Sequence, residues 1–294
     1  MFTRLHDTNK ATIFTVLVLL MALVAALVIR VFGITSGFIA AALYMFTPAE
    51  AALIMLLIVT REGFSREGWK TLGLHRLGLN VWWMAFLAAL LVSLLATAIV
   101  WATPLASVVV PEDGVGGRLI GFLIQVILFT FTLVLGEEIG WRGYLLPKLL
   151  SVGWTRALVL VGLIHAAWHM PMIFLTPLYH SAGNRLIVLP LFVGTILAAS
   201  FFLGYLRIYT GSVWPASLGH SVHNAAWGTL AAFTATSSPV IVNQYLAGDN
   251  GILILVGTVI AAIWVRRRLG KGLQFHNQAT RAAKPRLSRS QEGV

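Results

Sequence analysis

The sequence predicts an all-α integral membrane protein, with about eight transmembrane helices around a polar cavity. Three observations carry this prediction. The chain has 294 residues, 58% of them apolar and only 11% charged, with a mean hydropathy of +0.86. No soluble fold needs that much apolar surface. Apolar runs of about 20 residues recur along it, each long enough to span a bilayer. Three of these runs also carry ionisable residues, which in a membrane face the bundle interior or a wet cavity.

The runs lie near residues 12–32, 38–60, 81–103, 118–147, 155–176, 187–209, 214–236 and 250–267. Basic residues (Arg4, Lys10) precede the first run, which is long for a signal-peptide core and reads as an uncleaved helix. Pro48 interrupts the second, and Glu50 just after it suits the first turn of a restarted helix. Residues 61–80 are amphipathic and charged, the pattern of a helix lying on the membrane surface. Residues 104–117 hold Pro104, Pro111, Glu112 and Asp113 among glycines, and read as a loop. The membrane domain is expected over 1–268, with 269–294 a basic cytoplasmic tail, disordered beyond about residue 275. No internal repeat of the transporter kind stands out.

Charge sets the topology. The net charge of +11 does not point to nucleic acid, because no basic motif or domain gathers it; the positives sit between apolar runs. Eighteen of the 21 lysines and arginines fall on the side of the N-terminus, leaving Arg30, Arg118 and Arg185 on the other. The positive-inside rule then places both termini in the cytoplasm of a bacterial-type membrane and favours an even number of spans. The absence of cysteine excludes disulfides and thiolate metal sites.

The run Leu135-Gly-Glu-Glu-Ile-Gly-Trp-Arg-Gly-Tyr144 places three charges inside an apolar span. One charge at a bilayer centre costs roughly 2.5–3.5 kcal/mol on insertion scales, so packing alone does not explain three. Glu138 and Arg142 are four apart, in the favoured order for an ion pair. Glu137 is rotated away with no partner in its own helix, and is free to act. Gly136, Gly140 and Gly143 let other backbones approach closely. The plain alternative is a charge cluster at the end of a span.

Two further spans carry polar groups. His165 and His169 share a face of the fifth. In the seventh, His220 and Asn224 share a face and His223 lies about 60° away. A lone histidine in a membrane helix is often a packing residue, but two on one face near buried glutamates point to a shared cavity. No serine nucleophile or phosphate loop stands out. A carboxylate beside an imidazole can deprotonate a water, and a second histidine with an asparagine can stabilise an oxyanion. These groups suffice to hydrolyse a peptide bond. His165-x-x-x-His169 also has the spacing of a zinc helix but lacks its internal glutamate, a weak metal signal.

Glu137-Glu138-x-x-x-Arg142, a histidine followed by Met-Pro, and His220-x-x-x-Asn224 occur in that order. The pattern resembles the CPBP family, the CAAX prenyl endopeptidases and bacteriocin-processing (Abi) intramembrane proteases, over residues 118–236. The resemblance implies an eight-helix fold and proteolysis near the cytoplasmic face. It gives Glu137 and His169 the activation of water, His220 and Asn224 the oxyanion, and Glu138 and Arg142 the support of Glu137. The family is often labelled metalloprotease, yet its chemistry is better described as glutamate-dependent. His165 departs from the bulky aromatic usual at its position, which leaves zinc open although no cofactor is expected. The implied partners are the lipid bilayer and a membrane-associated peptide or protein substrate, prenylated or a peptide precursor. A proteolytically silent immunity or scaffold protein and a proton-coupled transporter are the competing classes. The four active residues are expected to converge on one cavity open to the cytoplasm.

Overall fold

Eight long helical segments organise the computed structural model, which describes residues 5–282. They are α1 (Asp7–Val31), α2 (Gly37–Val59), α3 (Leu79–Trp101), α4 (Gly114–Val152), α5 (Trp154–Leu175), α6 (Arg185–Thr210), α7 (Trp214–Ala232) and α8 (Ile252–Ala282). Among the described residues, one two-stranded ladder pairs β1 (Ser107–Val108) antiparallel with β2 (Thr234–Ala235), Ser107 opposite Ala235. By length and composition, α1 to α6 are six candidate membrane spans among the described residues. The expected seventh and eighth spans are present as helices but fall outside that group. Ser217, His220, Ser221, His223 and Asn224 dilute the apolar character of α7, and Arg266, Arg267 and Arg268 cut short the apolar run of α8. Large apolar side chains on the outer faces, among them Val24, Leu95, Ile120 and Ile260, stand more than half exposed, as a hydrocarbon solvent allows.

The contacts sort the chain into two ends. At one, Lys10 and Lys148 meet Glu62, Arg207 reaches the Thr71 carbonyl, and Arg266 lies over Trp154. At the other, Leu105 meets Thr236, Arg185 meets Ile173, and Tyr179 meets Asp249. The helices therefore run alternately between a basic end and a far end.

Two helices are broken where the site needs them. α2 breaks at Phe46, with Pro48 in the first turn of the segment Thr47–Ile54, where proline's missing N–H costs nothing; Glu50 stands exposed in that turn. α4 breaks at Thr132, whose φ of −132° and ψ of −101° leave the helical region. The Thr130 carbonyl beside this break accepts the Ser217 hydroxyl of α7 at 2.8 Å, so the break docks one helix on another. Gly140 lies against Pro48, and a Cβ there would come within 2.8 Å of the Pro48 carbonyl. The close approach expected of that glycine is thus realised between α4 and α2.

The surface helix expected over 61–80 does not form as one element. Only the short turns Glu62–Phe64 and Arg66–Lys70 are helical before α3. Gly73 and Gly78 take φ of +75° and +64°, a left-handed backbone that ends a helix. Residues 104–117 are a loop containing β1, although α4 already starts at Gly114. At the C-terminal end, α8 continues past residue 275 to Ala282; the remainder of the expected tail lies outside the described residues.

Candidate active site

The functional residues are brought together by α4, α5 and α7. In α4, Glu137 and Glu138 end the α-helical stretch Leu133–Glu138, and a π-helical stretch, Ile139–Leu145, follows at once. Glu137, Arg142, His165, His169, His220, His223 and Asn224 all line one cavity of about 410 Å³. Every active residue expected from the sequence except Glu138 is on its wall. Glu138 lies behind the wall, fully buried.

The two glutamates sit in different settings. Glu138 Oε1 accepts from Arg142 at 2.8 Å, the predicted pair, and also contacts His220 Nδ1 at 2.9 Å. The pair thus reaches into the site through His220, on another helix, with His220 Nε2 the remaining ring nitrogen. Glu137 has no cationic side chain paired with it. Its Oε2 meets His165 Nε2 at 3.1 Å, and both residues are buried. His165 was expected only as a supporting residue, yet it is the direct partner of Glu137. Its ring lies between Trp141, at a centroid distance of 4.8 Å, and His169, at 5.1 Å. The stack holds His169 beside the carboxylate, on the wall of the cavity.

Tyr44 and Trp168 brace this stack and were not singled out from the sequence. The Tyr44 hydroxyl donates to the Trp168 carbonyl, while Trp168 Nε1 donates to Thr47 Oγ1 at 2.9 Å. Both are aromatic residues in apolar runs, where only the breaks at Pro48 and Pro171 hint at exposed backbone acceptors.

The cavity does not open toward the basic end, as had been expected. Its lining runs from Arg142 and Glu137 to Leu178, Tyr179, Asp249 and Asn250 at the far end. On the basic side, Trp141, Tyr144, Leu145 and Leu146 are fully buried and fill the interior. At the far end the Tyr179 hydroxyl donates to Asp249 Oδ2 at 3.3 Å. Burial first, and then the Asp249 charge, push the Tyr179 phenol well above its ordinary range, so it remains a donor.

One oxygen of Glu137 and one nitrogen each of His165 and His169 lie within 4.8 Å of one another. The site thus combines a buried carboxylate with imidazoles in a largely apolar chamber, inside an integral membrane protein. Residues 119–226 match the family model described as type II CAAX prenyl endopeptidase Rce1-like. The matched residues, fewer than half of the chain, are similar to a family of membrane proteases, in agreement with the resemblance to the CPBP family. No curated protein matches the chain.

Proposed function

We propose that the protein is an intramembrane endopeptidase that cleaves a membrane-associated substrate, a prenylated CAAX protein or a peptide precursor, with a water activated by Glu137 and His169. One observation carries the reading. Glu137 is a buried carboxylate with no ion-pair cation, facing a chamber that also holds His165, His169, His220 and Asn224. Leaving such a charge unpaired is costly, and a base that must take a proton justifies it. His165 fixes the carboxylate through Oε2, leaving Oε1 for the water. The water's oxygen attacks the scissile carbonyl while its proton passes to Glu137. The oxyanion is met by the Asn224 amide N–H and by the Nε2–H of His220, which as an imidazolium also gives its Nδ1–H to Glu138. Glu137 then returns the proton to the departing amine.

A second reading rests on the carboxylate–imidazole group itself. One carboxylate and two histidines are a donor set that catalytic zinc takes. Against the fit, His165 Nδ1 is buried with no hydrogen-bond partner, whereas a zinc-bound histidine usually hands its second N–H to an acceptor. Metal-free water activation therefore remains the first reading. Stoichiometric zinc in the purified active protein, lost together with activity on chelation, would reverse that order.

α7 and α8 complete eight spans in this reading, and the positive-inside rule keeps the basic end and both termini cytoplasmic. The far end of the cavity then faces the opposite side of the membrane. A single cysteine introduced at Ser181, in a chain that has no other, should react with an impermeant maleimide from outside intact cells. Labelling only after lysis would invert the orientation. Activity itself is tested by mass spectrometry of membrane peptides from cells carrying the parent or Glu137→Gln. Products absent with the variant support proteolysis, and identical peptide sets favour a silent scaffold.

A further inference from the structure

The far half of the cavity contains a polar cluster that the cleavage chemistry leaves unused. Asp249 lines the chamber with its side chain only 17% exposed. Its neighbours are Tyr179, which donates to Oδ2, and His180, with Nε2 at 3.6 Å from Oδ1. His223 of α7 lines the same cavity. His180 is itself held by Gln244 and Asn250, at 3.1 Å each, and takes a left-handed φ of 46°. Such a conformation is strained for a non-glycine residue and persists only where the surroundings impose it.

Among the described residues, no lysine or arginine pairs with Asp249. The nearest basic side chain in sequence to the Tyr179 loop, Arg185, is spent on the Ile173 carbonyl and the Phe174 ring. A mostly buried carboxylate with no cation is retained at a cost. The same cavity is lined by Thr195, whose Oγ1 is buried and has no partner. Among the described residues its one lining lysine or arginine, Arg142, is already paired with Glu138. In a protein of net charge +11, this chamber presents a carboxylate without a lysine or arginine partner at both ends, Glu137 and Asp249.

We propose that Asp249 makes the far half of the cavity a subsite for a cationic group of the substrate, either a lysine or arginine side chain or a free amino terminus. An ammonium would find in Asp249 the charge partner that the protein does not supply, and in Thr195 a further acceptor in the same chamber. A free terminal carboxylate would meet a like charge there. The inference rests on the reading of the chamber as a peptide-binding site, and it narrows the substrate class. Segments bearing a positive charge a few residues from the scissile bond are favoured over segments ending there in a carboxylate.

The test uses binding to the full-length Glu137→Gln protein in detergent, where turnover does not interfere, and cleavage by the parent in parallel. The probes are short apolar peptides with one lysine at successive positions, the same peptides with norleucine, and versions with a free or an acetylated amino terminus. At one position the lysine peptide should bind about tenfold more tightly than its norleucine twin. Preference for the free over the acetylated terminus would identify the amino terminus as the source instead. The preference should disappear with Asp249→Asn, which keeps an acceptor for Tyr179, and survive Tyr179→Phe, which keeps the charge. Equal binding of all peptides by the Glu137→Gln protein overturns the proposal whatever the other variants do. So does a preference that survives Asp249→Asn. Charge-selective binding without cleavage by the parent would instead sink the protease reading and leave the subsite standing.

Discussion

At the basic end, Lys10 and Lys148 both reach Glu62, at 2.5 and 3.1 Å. In the interior, Arg142 and His220 both reach Glu138, at 2.8 and 2.9 Å. The plan is the same, one carboxylate between two nitrogen groups drawn from different parts of the chain. The solvent differs: the Glu62 side chain is 20% exposed and that of Glu138 0%. At the end, water can replace any partner that is lost. In the interior nothing can, and Arg142 already has two guanidinium nitrogens without partners. Equal geometry therefore gives unequal stakes.

Glu137 sharpens that contrast, because it shares the dry setting and has no cation at all. Glu137→Gln should abolish turnover, by several orders of magnitude in rate. The melting temperature in detergent should barely move, since the amide keeps the volume and a bond to His165. Cleavage near the parental rate would remove Glu137 from the chemistry. Next in size is Glu138→Gln, which strands Arg142 and loosens His220. Breaking one partner of a buried pair costs about 3–5 kcal/mol, so the variant should melt well below the parent. Adding Arg142→Met should recover part of the stability without restoring full activity. A Glu138→Gln protein that melts like the parent would show the two clusters to be equivalent.

The smallest effect is expected at the basic end. Glu62→Gln should cost about 1 kcal/mol or less, and less still in high salt. Partial burial alone would raise the Glu62 carboxyl, but the Lys10 and Lys148 ammonium groups outweigh it and hold it below the ordinary range. A depressed carboxyl gives stability that is present above the unfolded-state value and lost as pH falls through the folded-state value. The parent should therefore lose a little more stability than Glu62→Gln on acidification below the ordinary glutamate range. Parallel melting curves across that interval would break the assignment.

The sequence displayed whatever lay within one helix. The Glu138–Arg142 pair, the shared face of His165 and His169, and the restart of α2 at Pro48 all follow from spacing. It did not display which helix answers which. Glu137 is joined to His165 across 28 positions and Glu138 to His220 across 82, and no periodicity encodes such a choice. The amphipathic pattern of 61–80 misled because charge spacing carries no information on left-handed turns at Gly73 and Gly78. Asp249 was invisible for a similar reason: a lone acid beside a glycine in a loop has the look of a surface residue. The direction of the cavity failed on packing, since depth along a helix does not reveal which end the aromatic side chains fill.

The π-helical stretch at Ile139–Leu145 gives the motif a dependence on length as well as composition. A π turn holds more residues than the α turn it replaces, so this segment works as an insertion in the register of α4. Removing a single residue between Ile139 and Leu145 would be absorbed by a return to ordinary winding, whereas adding one after Arg142 would not be. With Tyr144 to Leu149 anchored in the packed basic end, everything before the added residue would then turn by about 100°. The glutamate pair would swing away from α5 and α7 while keeping every motif residue, its hydropathy and its ability to span the membrane. Such an insertion would leave a chain that still looks like a protease in sequence but has no assembled centre.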